Sequence, residues 1–137
     1  MNNKLSALIF SALSLAALTL AAVPAYAGCF LYKGQHGGDV IGRVENGVVY
    51  KEMYNLTSLA RAEGSLVYDG AYSYNILGHF EGLTLYKERF GDTPMGRISD
   101  HGLIYKAGDT STVLGRVEGC QQSDAAALGI ALLSGLF

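Results

Sequence analysis

The sequence predicts an all-β domain: five β-hairpins closed in a pseudo-fivefold ring, the N-terminal strand pairing with the last repeat, plus a short C-terminal apolar helix. Three observations predict it. A segment reading I-G-R-V-E at Ile41 recurs, degraded, at Leu59, Leu77, Met95 and Leu114. Tyrosines at positions 32, 50, 68, 86 and 105 keep a step of eighteen, with one of nineteen. The fifth copy stops at Gly119-Cys120 before reaching its tyrosine, and the missing half stands at the other end as Cys29-Phe30-Leu31-Tyr32. A fixed period of this size marks small units that bury their apolar faces only against one another.

Residues 1–27 read as a signal peptide. Lys4 supplies the positive start, Leu5 to Val23 is almost wholly apolar, Pro24 breaks the run and Ala25-Tyr26-Ala27 is an A-x-A cleavage site. An uncleaved anchor is the alternative, since the run approaches spanning length. The implied location is periplasmic or secreted. A competing lipoprotein reading takes Tyr26-Ala27-Gly28-Cys29 as a lipobox. It is the weaker one, because Tyr26 stands where an aliphatic residue is usual and because lipidating Cys29 would strand Cys120.

The repeat domain is assigned to residues 28–120. Cys29 and Cys120 both align to the turn position of Gly47, at the two cut ends of the fifth hairpin. A disulfide there replaces the missing turn, and an oxidising compartment permits it. In the chain-entropy picture, closing so long a loop stabilises by roughly 4–5 kcal/mol.

Each copy reads as strand, tight turn, strand. Apolar and polar residues alternate through Ile41 to Glu45, the period of a half-buried strand. Asn46-Gly47 is a strong hairpin signal, because a type I′ turn needs positive φ at both central residues. That turn pairs Glu45 with Val48, Val44 with Val49 and Arg43 with Tyr50. One face then carries Gly42, Val44 and Val49, and the other carries Ile41, Arg43, Glu45, Val48 and Tyr50. The first face is apolar or small in every copy and is the expected core. The small residues Gly42, Ala60, Gly78, Gly96 and Gly115 suggest close backbone approach. Connectors of about eight residues, rich in turn formers, join the copies. Tyr54, Tyr72 and Phe90 stand in three of them. They are either a binding surface or, the favoured reading, local packing over the outer edge of the ring.

Residues 121–137 form an apolar tail. Ser123-Asp124 can cap a helix, and Ala125 to Phe137 carries no charge. A helix apolar all round must be buried, and at about 21 Å this one is too short to span a bilayer. Three destinations are open: one end of its own ring, a second copy or protein partner, or a membrane.

The combination of I-G-R-V-E, a turn, V-V-Y and a loop, five times over with a split fifth copy, resembles the bacterial β-flower repeat proteins in their fivefold form. The resemblance covers about residues 29–120. It implies petal-like hairpins around a pseudo-symmetry axis, is compatible with an apolar C-terminal tail, and carries no catalytic residues over. Ala60, Ala62 and His79 depart from the pattern.

One constellation is a candidate ligand site. Arg43, Arg61, His79, Arg97 and Arg116 occupy equivalent places, each opposite a tyrosine, with Glu45, Glu63, Glu81 and Glu118 two residues along. The functional reading is an anion or polar-ligand site served by guanidinium forks. The bland reading, which is preferred, is mutual satisfaction: each Arg stacks on its Tyr and pairs with a Glu across strands. The segment after residue 27 holds nine Lys and Arg against twelve Asp and Glu, a formal −3, which argues against nucleic acid as partner. There is no His-x-x-x-His or Cys-x-x-Cys spacing, P-loop or nucleophile elbow. No metal, cofactor or catalytic residue is therefore assigned. The expected function is an exported, non-enzymatic binding or structural module of the bacterial cell envelope, with homo-oligomerisation open. The alternatives are an envelope hydrolase using Glu81 and Asp100 near His79 and His101, or a membrane-active effector acting through the tail.

Overall fold

At the first turn, Asn46 and Gly47 both adopt positive φ, 52° and 78°, as a type I′ hairpin requires. The flanking strands keep the register that turn dictates: Arg43 faces Tyr50, Val44 faces Val49 and Glu45 faces Val48. Gly64 and Gly82, each at φ 59°, start the next two turns. The longer turn at Ser99–Gly102 is closed by Ser99 donating to the Leu103 carbonyl and Gly102 to the Ser99 carbonyl.

The computed structural model describes residues 28–137. The expected signal peptide, residues 1–27, lies outside them. The strands are β1 (Cys29–Lys33), β2 (Val40–Glu45), β3 (Val48–Lys51), β4 (Ser58–Glu63) and β5 (Leu66–Asp69), then β6 (Ile76–Glu81), β7 (Thr84–Lys87), β8 (Pro94–Ile98), β9 (Leu103–Lys106) and β10 (Gly115–Glu118). One helix, α1 (Gln122–Leu133), follows. Every strand is antiparallel to its neighbours, and the ten close into a barrel. The seam is β1 on β10: Phe30 faces Glu118, Leu31 faces Val117 and Tyr32 faces Arg116. The Cys29–Cys120 disulfide sits beside it with Cα atoms 4.4 Å apart, cross-linking residues 91 positions apart in sequence.

The tail does not lie over an end of the barrel. It runs up the inside. Helix α1 touches β1, β2, β3, β4, β6, β7, β8 and β10, and Ala125 through Ala131 are all buried. Apolarity on every side is therefore met by strands on every side. A helix with full side chains is about 10–12 Å across, so a lumen this narrow admits one only if both surfaces are pared down. Ala125, Ala126, Ala127, Gly129 and Ala131 pare down the helix. Gly42, Ala60, Gly78, Gly96 and Gly115 pare down the wall. A Cβ on Gly42 would stand 2.5 Å from the Phe137 ring, and one on Gly96 2.5 Å from Leu133 Cδ1. The close approach expected of these small residues is to strand backbone as well as to the tail: a Cβ on Gly78 would stand 2.3 Å from the Tyr86 carbonyl oxygen, and one on Gly96 2.5 Å from that of Tyr105. Around it pack Leu31, Val49, Val67, Leu85 and Ile104, all fully buried.

The helix stops in a Schellman turn. Gly135 takes φ 80°, its N–H donates to the Leu132 carbonyl, and the Leu136 N–H reaches back to Ala131. At the other end burial raises the Asp124 carboxyl above its ordinary value.

Simple alternation puts Ile41 on the outer face, and the structure corrects this. Register shifts fall between Leu31/Tyr32, Val49/Tyr50, Val67/Tyr68 and Leu85/Tyr86. At each, the facing strand carries one extra residue: Ile41, Leu59, Leu77 or Met95. A bulge re-aims the side chain of its extra residue, and all four pack against the core.

Candidate functional site

The band of Arg43, Arg61, His79, Arg97 and Arg116 lies on the outer wall, and each member meets its tyrosine. Guanidinium carbons stand 4.6, 4.2, 4.2 and 4.5 Å from the ring centres of Tyr50, Tyr68, Tyr105 and Tyr32. His79 stacks on Tyr86 at 4.8 Å. The carboxylate partner is on the same strand, not across strands as expected: Nε of Arg43, Arg61 and Arg116 pairs with Glu45, Glu63 and Glu118 at 3.2, 3.2 and 3.1 Å.

The remaining donors have a role the sequence did not suggest. Arg43 Nη1 donates to the carbonyls of Glu52 and Asn55, both at 2.8 Å. Arg61 Nη1 donates to Ser73 O, and Arg116 donates to Gln35 O and Gly37 O. His79 Nδ1 donates to Glu88 O at 2.8 Å. Each of these four side chains pins a connector to the outside of the barrel. Loop carbonyls are invisible to side-chain pattern reading, so no residue pattern announces these contacts. Arg97 differs. Ser99 replaces the glutamate, and among the described residues Arg97 has only its stacking on Tyr105. Its connector is held by Asp109 instead, which accepts from the backbone of Ser111 and Thr112. Those two bonds keep the Asp109 carboxyl below its usual value.

Glu81, His79, Asp100 and His101 do not share one depression. His79 and Glu81 line a hollow of about 490 Å³ with Tyr86, Arg89, Phe90 and Asp92. Asp100 and His101 line another, of about 660 Å³, beside Cys120 and the start of α1. Among the described residues no three His, Cys, Asp or Glu side chains are grouped to hold a metal ion.

The connectors hold the clearest asymmetry. Tyr54, Leu56, Tyr72, Tyr74 and Phe90 are exposed by 87, 82, 93, 87 and 84 %. The favoured expectation of local packing fails for Tyr54, Tyr72 and Phe90, whose rings stand in solvent. All five large apolar residues belong to the three consecutive connectors after β3, β5 and β7. The connectors after β1 and β9, residues 34–39 and 107–113, bear no aromatic residue. Among the described residues no helix is long and apolar enough to cross a membrane.

Comparison with family models, curated proteins and solved structures found no match.

Proposed function

We propose that the chain is an exported, non-enzymatic repeat domain, fivefold in plan like the β-flower proteins it resembles, acting as a binding module of the bacterial cell envelope. The observation that carries this reading is the set of bare rings on three adjacent connectors. Five large apolar side chains left in solvent on three consecutive connectors exceed scattered single exposure, and Tyr is favoured at contact surfaces because one end is apolar and the other polar. The other candidate surfaces are already engaged: the lumen holds α1, and most of the cationic band holds connectors and glutamates. In this reading the barrel is a rigid carrier and Arg43, Arg61 and His79 aim the aromatic connectors.

The leader-like segment and the disulfide support an oxidising, exported setting. Two measurements test the proposal. Mature protein recovered from cells is expected to begin at Gly28 and to fractionate with the periplasm or medium. An intact leader or a lipid on Cys29 contradicts this. The triple variant Tyr54→Ser, Tyr72→Ser, Phe90→Ser is expected to melt like the parent yet lose association with isolated envelope material. Equal association by both proteins removes the connectors from the reading.

A further inference from the structure

The end of the barrel where α1 emerges is neither sealed nor uniformly polar. Its apolar residues are Leu132, Phe137, Leu114 and the bulged Ile41. Together they line a cavity of about 340 Å³, at the lower end of the size range of small-molecule sites. Lys33 and Lys51 stand at its edge with Glu52. Neither lysine has an ion-pair partner among the described residues. Lysine stems lie along apolar walls while their ammonium heads stay in water, so the edge carries positive charge directly above an apolar hollow.

Two local explanations fall short. Complementing the negative end of α1 would explain cations here. That end is already capped by its own backbone, with Ser134, Gly135 and Leu136 donating back to Ile130, Leu132 and Ala131. Pairing with Glu52 would also explain them, but among the described residues Glu52 forms no ion pair with either lysine. The lining is mostly apolar, from half-buried Ile41, Leu114, Leu132 and Phe137, and its polar side chains are Lys33, Lys51 and Glu52.

We infer that this mouth binds a single-chain anionic amphiphile of the medium-chain fatty acid class. Its alkyl chain fills the hollow against Leu132 and Phe137, and its carboxylate lies between Lys33 and Lys51. The cavity suits one chain rather than a two-chain lipid. A second, larger hollow of about 900 Å³ lies on the other side of Leu114 and Leu132, edged by Lys87 and Lys106. It supplies a control of the same charge. The inference uses a surface separate from the aromatic connectors and stands whether or not they bind a partner.

The test is calorimetric titration of the disulfide-bonded protein with decanoate below its micelle concentration, with methyl NMR as a second readout. Saturable binding of one ligand per chain is expected, with shifts at Ile41, Leu114 and Leu132. Lys33→Gln with Lys51→Gln is expected to weaken it by about tenfold or more, and decanol is expected to bind the parent at least about tenfold more weakly than decanoate. Lys87→Gln with Lys106→Gln should leave it unchanged. All four lysines are exposed, so these variants fold. Absence of saturable binding overturns the inference. So does equal binding of decanol, indifference to Lys33 and Lys51, or equal dependence on Lys87 and Lys106. Binding only to anionic vesicles, with none to free decanoate, also overturns it.

Discussion

The same ten strands present two surfaces that achieve fit by opposite means. Inside, the wall meets α1 and the residues after it through glycine, alanine, aliphatic side chains and the Phe137 ring, so closely that an added Cβ at Gly42 or Gly96 would force a shift. Outside, long polar side chains reach across gaps to tyrosine rings, glutamates and loop carbonyls. Interiors are packed like crystals and resist small changes. Solvent-facing ion pairs and stacks are individually weak and replaceable. The inner surface therefore sets whether the chain folds, and the outer one sets where the connectors point.

Substitutions can break this contrast, starting with the most damaging. Ile130→Asp places a charge in a lumen where Ile130 is fully buried and is expected to remove more than about 4 kcal/mol, enough to unfold a domain of ordinary stability. Circular dichroism in urea reads this directly. Cys29→Ser with Cys120→Ser leaves the seam to β1–β10 hydrogen bonds and packing on α1 and is expected to lower stability by about 2–5 kcal/mol, measured as a lower urea midpoint.

On the outer wall, Arg43→Ala should cost about 1–3 kcal/mol. Arg43 is 5 % exposed and serves two carbonyls and Glu45, and hydrogen bonds from charged groups are the stronger kind. Arg97→Ala, which forfeits only stacking, should cost under about 1 kcal/mol. Equal costs would show that pinning connectors contributes nothing.

Smaller still is the expected gain from Glu88→Gly. Glu88 sits at φ 64°, where a side chain costs about 1–2 kcal/mol. Part of this is offset by the extra freedom glycine gives the unfolded chain, so thermal unfolding should rise only modestly. Smallest is the acid response of the connector after β9. The Asp109 carboxyl is lowered by the Ser111 and Thr112 N–H bonds, so its contribution is whole above the ordinary carboxylate range. It is lost as pH falls through its depressed folded value. Amide protection at Ser111 and Thr112, relative to the unstructured rate at the same pH, should fall there, and should be low at neutral pH in Asp109→Ala.

Much of the fold was legible because turn and strand signals recur along the chain. The Arg43–Tyr50 register, the Asn46-Gly47 turn and the Cys29–Cys120 bridge all follow from local rules and alignment. The path of α1 was not legible, because lumen width depends on strand number and tilt, which no single copy encodes. Its signal was present as two complementary sets, the small wall residues and the alanine-rich helix, read separately. The bulges had a signal too: Ile41, Leu59, Leu77 and Met95 are apolar at a position that alternation assigns to solvent. For the candidate site, exposure of Tyr54, Tyr72 and Phe90 depends on how each connector folds back, which is fixed by carbonyl contacts rather than by residue type.

Native-state hydrogen exchange of α1 tests most directly whether the helix is the core of the barrel. Amides of Ala125 through Ala131 are expected to exchange only with global unfolding, at the same free energy as those of β1 and β10. Exchange of the helix by a cheaper, separate opening, while the strands stay protected, would contradict the account.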